Sequence, residues 1–199
     1  TLTQQLDNTQ GRVRAGQALA ITAAQVINRD TNTPSKGIEA GSLTMSTQTL
    51  DNTHGALRAT VQLTSTVRQA LENVAGLVSS GGVLTVRDDA QGQQLSINNR
   101  EGTLIAGTDG QITAATLSGD GQVLSQGDLA VHLAHDFHNT RTVGANGNMT
   151  LETPAAIVND GRITAGDTLT VTGQQVTNTA QAEISAQATH VNAQDTLTN

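Results

Sequence analysis

Leu6-Asp7-Asn8-Thr9-Gln10-Gly11-Arg12-Val13-Arg14-Ala15 returns as Leu50-Asp51-Asn52-Thr53-His54-Gly55-Ala56-Leu57-Arg58-Ala59. A third copy is Leu71-Glu72-Asn73-Val74-Ala75-Gly76-Leu77-Val78, and weaker ones start at Ile97 and Ile157. The shared form is an apolar residue, any residue and Asn, then Gly two or three positions on, then an apolar residue and often Ala. A Leu-x-Val/Ile pair follows, as in Leu19-Ala20-Ile21, Leu84-Thr85-Val86, Leu129-Ala130-Val131 and Leu169-Thr170-Val171. An internal period is the feature to settle first, because it dictates the architecture.

The Asn-equivalent positions are Asn8, Asn28, Asn52, Asn73, Asn99, Gly119, Asn139, Asn159, Asn178 and Asn199, in steps of 20, 24, 21, 26, 20, 20, 20, 19 and 21. The two long steps carry insertions near residues 29–36 and 87–94. A period near 20 with alternating apolar residues predicts an all-β chain, a right-handed parallel β-helix of about ten coils. Leucine-rich repeats share the period but need a denser leucine pattern. Inward Leu, Val and Ile of successive coils are expected to form apolar columns, each buried side chain contributing roughly 1.5–3 kcal/mol. Asn and Gly are expected at the corners, where tight or left-handed geometry is needed. The predicted corner residues are Asn8, Gly11, Asn28, Asn52, Gly55, Asn73, Gly76, Asn99, Gly102, Asn139, Asn159, Gly161 and Asn178. Stacked Asn side chains can bond to the coils above and below as an amide ladder. At about 4.8 Å per layer the rod is roughly 45 Å long. Thr64 to Val78 also shows helical spacing behind Ser65 and Thr66, but the Leu71-Glu72-Asn73 match favours a coil.

Composition narrows the function. The 199 residues hold no Cys, no Trp, no Tyr and one Phe, Phe137, with a net charge of −7. Charged residues are 14% of the chain, too few for a disordered polyelectrolyte or a nucleic-acid binder. Without Cys there are no disulfides, thiolate metal sites or thiol nucleophiles. No apolar run reaches the ~18 residues of a membrane-spanning helix. The start at Thr1-Leu2 and the stop at Leu197-Thr198-Asn199, without a charged cap, suggest an excerpt from a longer rod, whose lack of a signal peptide carries no information.

The units at Leu6–Ala15 and Leu50–Ala59 resemble the repeats of filamentous haemagglutinin-type exoproteins, among them large adhesins and contact-dependent growth-inhibition toxins of Gram-negative bacteria. The likeness runs along essentially the whole chain, more degenerate after Ala106. It implies a long β-helical filament, exported by two-partner secretion through an outer-membrane transporter and presented at the cell surface. It implies a monomeric shaft that holds adhesive or toxin-delivery segments away from the cell, with a target-cell receptor as possible partner and with no nucleic acid or cofactor. Neither a secretion domain nor a toxin domain matches here. Absence of Cys agrees, because a periplasmic disulfide would obstruct export of an unfolded chain.

Chemistry-bearing clusters are few. His132, His135 and His138, with Asp136, are the weak candidates for a metal site. In a strand His132 and His138 share one face and His135 the other, with Leu133 and Phe137 inward, so convergence of all three needs a turn. Asp88 and Asp89 form a carboxylate pair, expected in a solvated turn. Gly107-Thr108-Asp109-Gly110 and Gly119-Asp120-Gly121 lack the tandem calcium-roll pattern and read as corners. No Gly-x-Ser-x-Gly, P-loop or His-Glu-x-x-His occurs, so an enzyme, such as a β-helical polysaccharide-active one, is poorly supported. The Asn148-Met149-Thr150 sequon is uninformative in a bacterial chain. If the surface recognises a partner, the insertions are the candidates: Arg29, Asp30, Asn32, Pro34 and Lys36 in the first, Arg87, Asp88, Asp89, Gln91 and Gln93 in the second.

Overall fold

The structure, a computed structural model, describes residues 4–199; the Thr1-Leu2 start of the repeat reading lies outside them. Every regular element among the described residues is a strand, and the strands pair in parallel between successive coils. The result is a β-solenoid, as the period predicts, and its coils have three sides. Each coil contributes one short strand to each face.

The first face, just after the Asn corner, stacks 12–14, 37–40, 56–59, 77–80, 103–106, 122–125, 142–145, 162–165 and 183–185. The second stacks 18–22, 42–47, 62–67, 83–87, 110–114, 129–133, 149–152, 168–173 and 188–193. The third, which ends at the Asn corner, runs from Gln5–Asp7 to 196–198. Gly37–Asp51 and Ala56–Glu72 are long because they pass round corners without breaking, at bulges between Ala40/Ser42 and Thr47/Thr49.

Registers align the inward residues into columns. On the first face Val13, Ile38, Leu57, Val78, Leu104, Val123, Val143, Ile163 and Ile184 lie above one another. On the second face the corresponding column is Ile21, Met45, Ser65, Val86, Ile112, Val131, Leu151, Val171 and Val191. These side chains form one apolar core, with the outermost members only partly buried. The core is built of aliphatic side chains, with Phe137, 4% exposed, as its one aromatic residue. Ser65 is the misfit: it is buried between Met45 and Val86, and its hydroxyl has no partner.

The 64–78 stretch is not a helix. It supplies the end of Ala56–Glu72, the corner at Asn73–Gly76 and the start of Leu77–Ser80. Val67, Leu71 and Val78 are buried; stacking against the coils on both sides overrides the local helical spacing.

Candidate functional site

The most distinctive polar construction is the Asn corner. Asn8 Nδ2 donates to Asn28 Oδ1 (2.8 Å), Asn28 to Asn52 (2.8 Å), Asn52 to Asn73 (2.7 Å) and Asn73 to Asn99 (2.7 Å). A second ladder runs from Asn139 to Asn159 (2.7 Å), Asn178 (2.8 Å) and Asn199 (2.8 Å). Several amides also cap carbonyls of the next coil, as Asn28 does Ala56 and Asn52 does Leu77. Asn28, Asn52, Asn73 and Asn159 are wholly buried. Buried amides are tolerated here because donor and acceptor are both used.

Gly plays a different part from the one expected of it. In the early coils the left-handed residue is Gln10, Asp30, His54, Ala75 or Glu101, two positions after the Asn. Gly11, Gly55, Gly76 and Gly102 come one residue later and have no left-handed φ. At Gly55 an added Cβ would collide with the Asn28 carbonyl and stand 2.5 Å from Asn52 Oδ1. Gly76 and Gly102 meet Asn52 and Asn73 of the preceding coils in the same way. Close coil-to-coil approach, not backbone handedness, selects Gly there.

The first insertion lies against the neighbouring coil. The Asp30 amide donates to Thr53 O, and those of Thr31 and Asn32 donate to His54 O. Thr31 is buried, its hydroxyl donating to Asn28 O and accepting from the Ala56 amide. Arg29 donates to Asp51 (2.7 Å). Burial pushes the Asp51 carboxyl up, but Arg29 and Thr53 outweigh it and hold it below the ordinary carboxylate value. Arg58 reaches back to Asn32 Oδ1 (2.9 Å) and Lys36 O (3.2 Å), and with Arg12 and Arg14 it surrounds Glu39 at 3.5 to 4.0 Å.

In the second insertion the expectation of a solvated carboxylate pair fails for Asp88. Asp88 is 4% exposed and accepts four backbone N–H bonds, from Ala90 (2.9 Å), Gly92 (2.7 Å), Gln94 (2.8 Å) and Leu95 (2.9 Å). Left-handed Gln91 and Gly92 shape the turn about it. Burial pushes this carboxyl up, yet the four amides together bring it below its ordinary value. Asp88 is therefore the internal clamp of its loop. Asp89 points outward and pairs with Arg68 at 2.5 Å. Arg87, Asp89 and Gln91 rim a shallow groove of about 430 Å³ with Gln111 and Thr113.

The three histidines do not converge. His132 lies 3.2 Å from Glu152 of the next coil, His138 pairs with Asp160, and His135 is exposed. The His138 contact holds the Asp160 carboxyl below its ordinary value. Among the described residues no three His, Cys, Asp or Glu side chains could share a metal ion.

The Gly107–Gly110 corner begins a second polar edge that the repeat pattern does not reveal. Asp109 Oδ1 accepts from the Asp128 amide (3.0 Å), and Asp128 Oδ1 from the Asn148 amide (2.7 Å) and side chain (3.2 Å). The spacing Asp109, Asp128, Asn148 was its only signal, and mixed Asp and Asn hid it.

No nucleophile, base and oxyanion donor are grouped at any of these places. Charge instead runs in pairs between coils. Residues 1–58 hold five Lys/Arg and four Asp/Glu, and residues 59–199 five and thirteen, so the acidity belongs to the later coils.

Comparison with known proteins agrees with this architecture. The haemagglutinin repeat profile matches residues 1–38, 35–132 and 124–199. The chain is 30% identical over 194 residues to a protein of Dickeya dadantii named deoxyribonuclease CdiA, an alignment covering 94% of this chain and 5% of that relative. No solved structure matches the chain. With repeat matches spanning it from end to end, the chain belongs to the haemagglutinin repeat family.

Proposed function

We propose that this chain is a shaft segment of a secreted bacterial surface filament, a non-catalytic spacer that holds adhesive or toxin-delivery parts away from the cell. The observation that carries this reading is the stack itself: a continuous aliphatic core and an Asn edge built of two ladders, with surface charges paired between coils. Such a stack adds length coil by coil. Export by an outer-membrane two-partner transporter fits a chain without Cys, because each coil can form on the preceding one as the polypeptide emerges.

A spacer has a distinctive tolerance. Deleting residues 140–159 removes one 20-residue period between equivalent ladder positions. In the filament that carries this segment, that deletion should leave surface display and target contact intact, whereas deleting 140–149 should abolish display. Loss of target contact in the in-register deletion, with display retained, would refute the spacer reading.

A second reading is that the insertions contact a target-cell receptor, with Arg29, Lys36, Arg87 and Asp89 as contact residues. It is favoured by an excess of positive charge beside the first insertion, where exposed Arg12 and Arg14 share the one Glu39 carboxylate with partly buried Arg58. Replacing Arg29, Lys36 and Arg87 together with Gln and measuring cell binding separates the two, because a spacer would bind unchanged.

A further inference from the structure

The third face is not continuous. Its strands 5–7, 25–27, 49–51, 70–72, 96–98 and 116–118 pair as one stack, and 137–139, 156–159, 175–178 and 196–198 as another. Among the described residues no backbone register joins Thr116–Ser118 to Phe137–Asn139. At the same level the other two faces are unbroken: 103–106 pairs with 122–125 and on to 142–145, and 110–114 with 129–133 and on to 149–152.

Three further features coincide with that gap. The Asn ladder stops, because Gly119 occupies the rung after Asn99, whose Nδ2 keeps its next-coil carbonyl cap, Gln122 O at 3.0 Å, but has no amide oxygen to reach; the next ladder begins at Asn139. Gly119 has φ +98°, and a Cβ there would stand 2.7 Å from Arg100 Cα, so the corner excludes the missing Asn sterically. The corner style also changes: left-handed residues follow Asn8, Asn28, Asn52, Asn73 and Asn99, and none occurs after Gly119. Finally, a groove of about 570 Å³ opens between Leu117 and Gly119 on one side and His138 and Thr140 on the other.

In a solenoid, stability is a sum of coil terms and nearest-neighbour interface terms. The interface here lacks strand pairing on one face and its amide rung, and keeps the pairing of two faces. It is therefore the weakest coupling along the rod. We propose that the boundary between Ser118 and Phe137 is a compliant joint that divides the solenoid into two cooperative units and opens first on the third face. A shaft so built would yield at one defined place under bending, on the side of the groove, and leave both flanking stacks folded.

Hydrogen exchange on the whole chain tests this. Amides of 116–119 and 137–139 should exchange at least ~10-fold faster than those of the matched short strands 96–98 and 157–159, whose pairing is intact. Repeated in rising urea below the unfolding midpoint, amides of 4–115 and of 140–199 should follow two distinct opening isotherms. Equal protection at matched strands overturns the joint, and a single shared isotherm overturns the division into two units.

Discussion

Asn52→Ala isolates the contribution of the buried ladder. Asn52 is fully buried. It accepts from Asn28 at 2.8 Å and donates to Asn73 Oδ1 at 2.7 Å and to Leu77 O at 3.1 Å. Truncation removes all three bonds. Asn28 keeps a partner in Ala56 O at 2.9 Å, whereas Asn73 Oδ1 loses its donor inside the protein. Two lost bonds at about 1 kcal/mol each, with a buried acceptor orphaned at a cost of about 1–3 kcal/mol, give a destabilisation of about 3–5 kcal/mol. Asn178→Ala is the matched control: Asn178 is only partly buried, its link to Asn199 is exposed so that water replaces that partner, and Asn159 keeps the Glu183 carbonyl at 3.0 Å when its bond to Asn178 is lost, so the cost is about 1 kcal/mol. Urea unfolding followed by circular dichroism reads the difference as a drop of about 1 M in midpoint for Asn52→Ala, at a slope of about 3 kcal/mol/M. If the two variants lose the same stability, the buried amides do not hold the coils together and the ladder is decoration.

Other substitutions test other parts of the stack. Ser65→Ala should raise the unfolding midpoint by about 1 kcal/mol equivalent, because it removes a buried hydroxyl without a partner; a lower midpoint would mean that the hydroxyl is satisfied. Ala75→Gly should stabilise by about 0.5–1 kcal/mol in the same assay, since Ala75 has φ 49°, a conformation costing a Cβ-bearing residue about 1–2 kcal/mol, partly offset by the entropy of Gly. Gly55→Ala should do the reverse and lose the neighbouring rungs, because its Cβ meets the Asn28 carbonyl and Asn52 Oδ1; unchanged amide exchange at Asn28 and Asn52 would refute this. The Asp88 carboxyl is held below its ordinary value, so its contribution is fully present above the unfolded value of about 3.9 and is lost as pH falls through the lower folded value. Acid titration should therefore release the 88–95 loop, seen as faster exchange of the Gly92 and Leu95 amides, and Asp88→Asn should show that faster exchange already at pH 7.

How much of this was legible in the residues differs from place to place. Leu6, Leu50 and Leu71 announce the third-face column because side-chain alternation and coil length are local properties of the chain. The Asn edge was legible for the same reason, each rung being one period from the next. Asp88 was misjudged because its neighbours are polar; its burial comes from a turn that folds four amides onto it, which composition does not encode. The Asp109–Asp128–Asn148 edge was masked by the change of residue type.

The sequence by itself determined the period, the parallel stacking and the aliphatic core, because burying a repeating apolar face leaves no other partner than the next repeat. Only the tertiary structure decided which corner residues are left-handed, which insertion residues are buried and where one face loses its pairing. Those outcomes depend on atoms of an adjacent coil about twenty residues away, as the Cβ contact that Gly119 avoids with Arg100 illustrates.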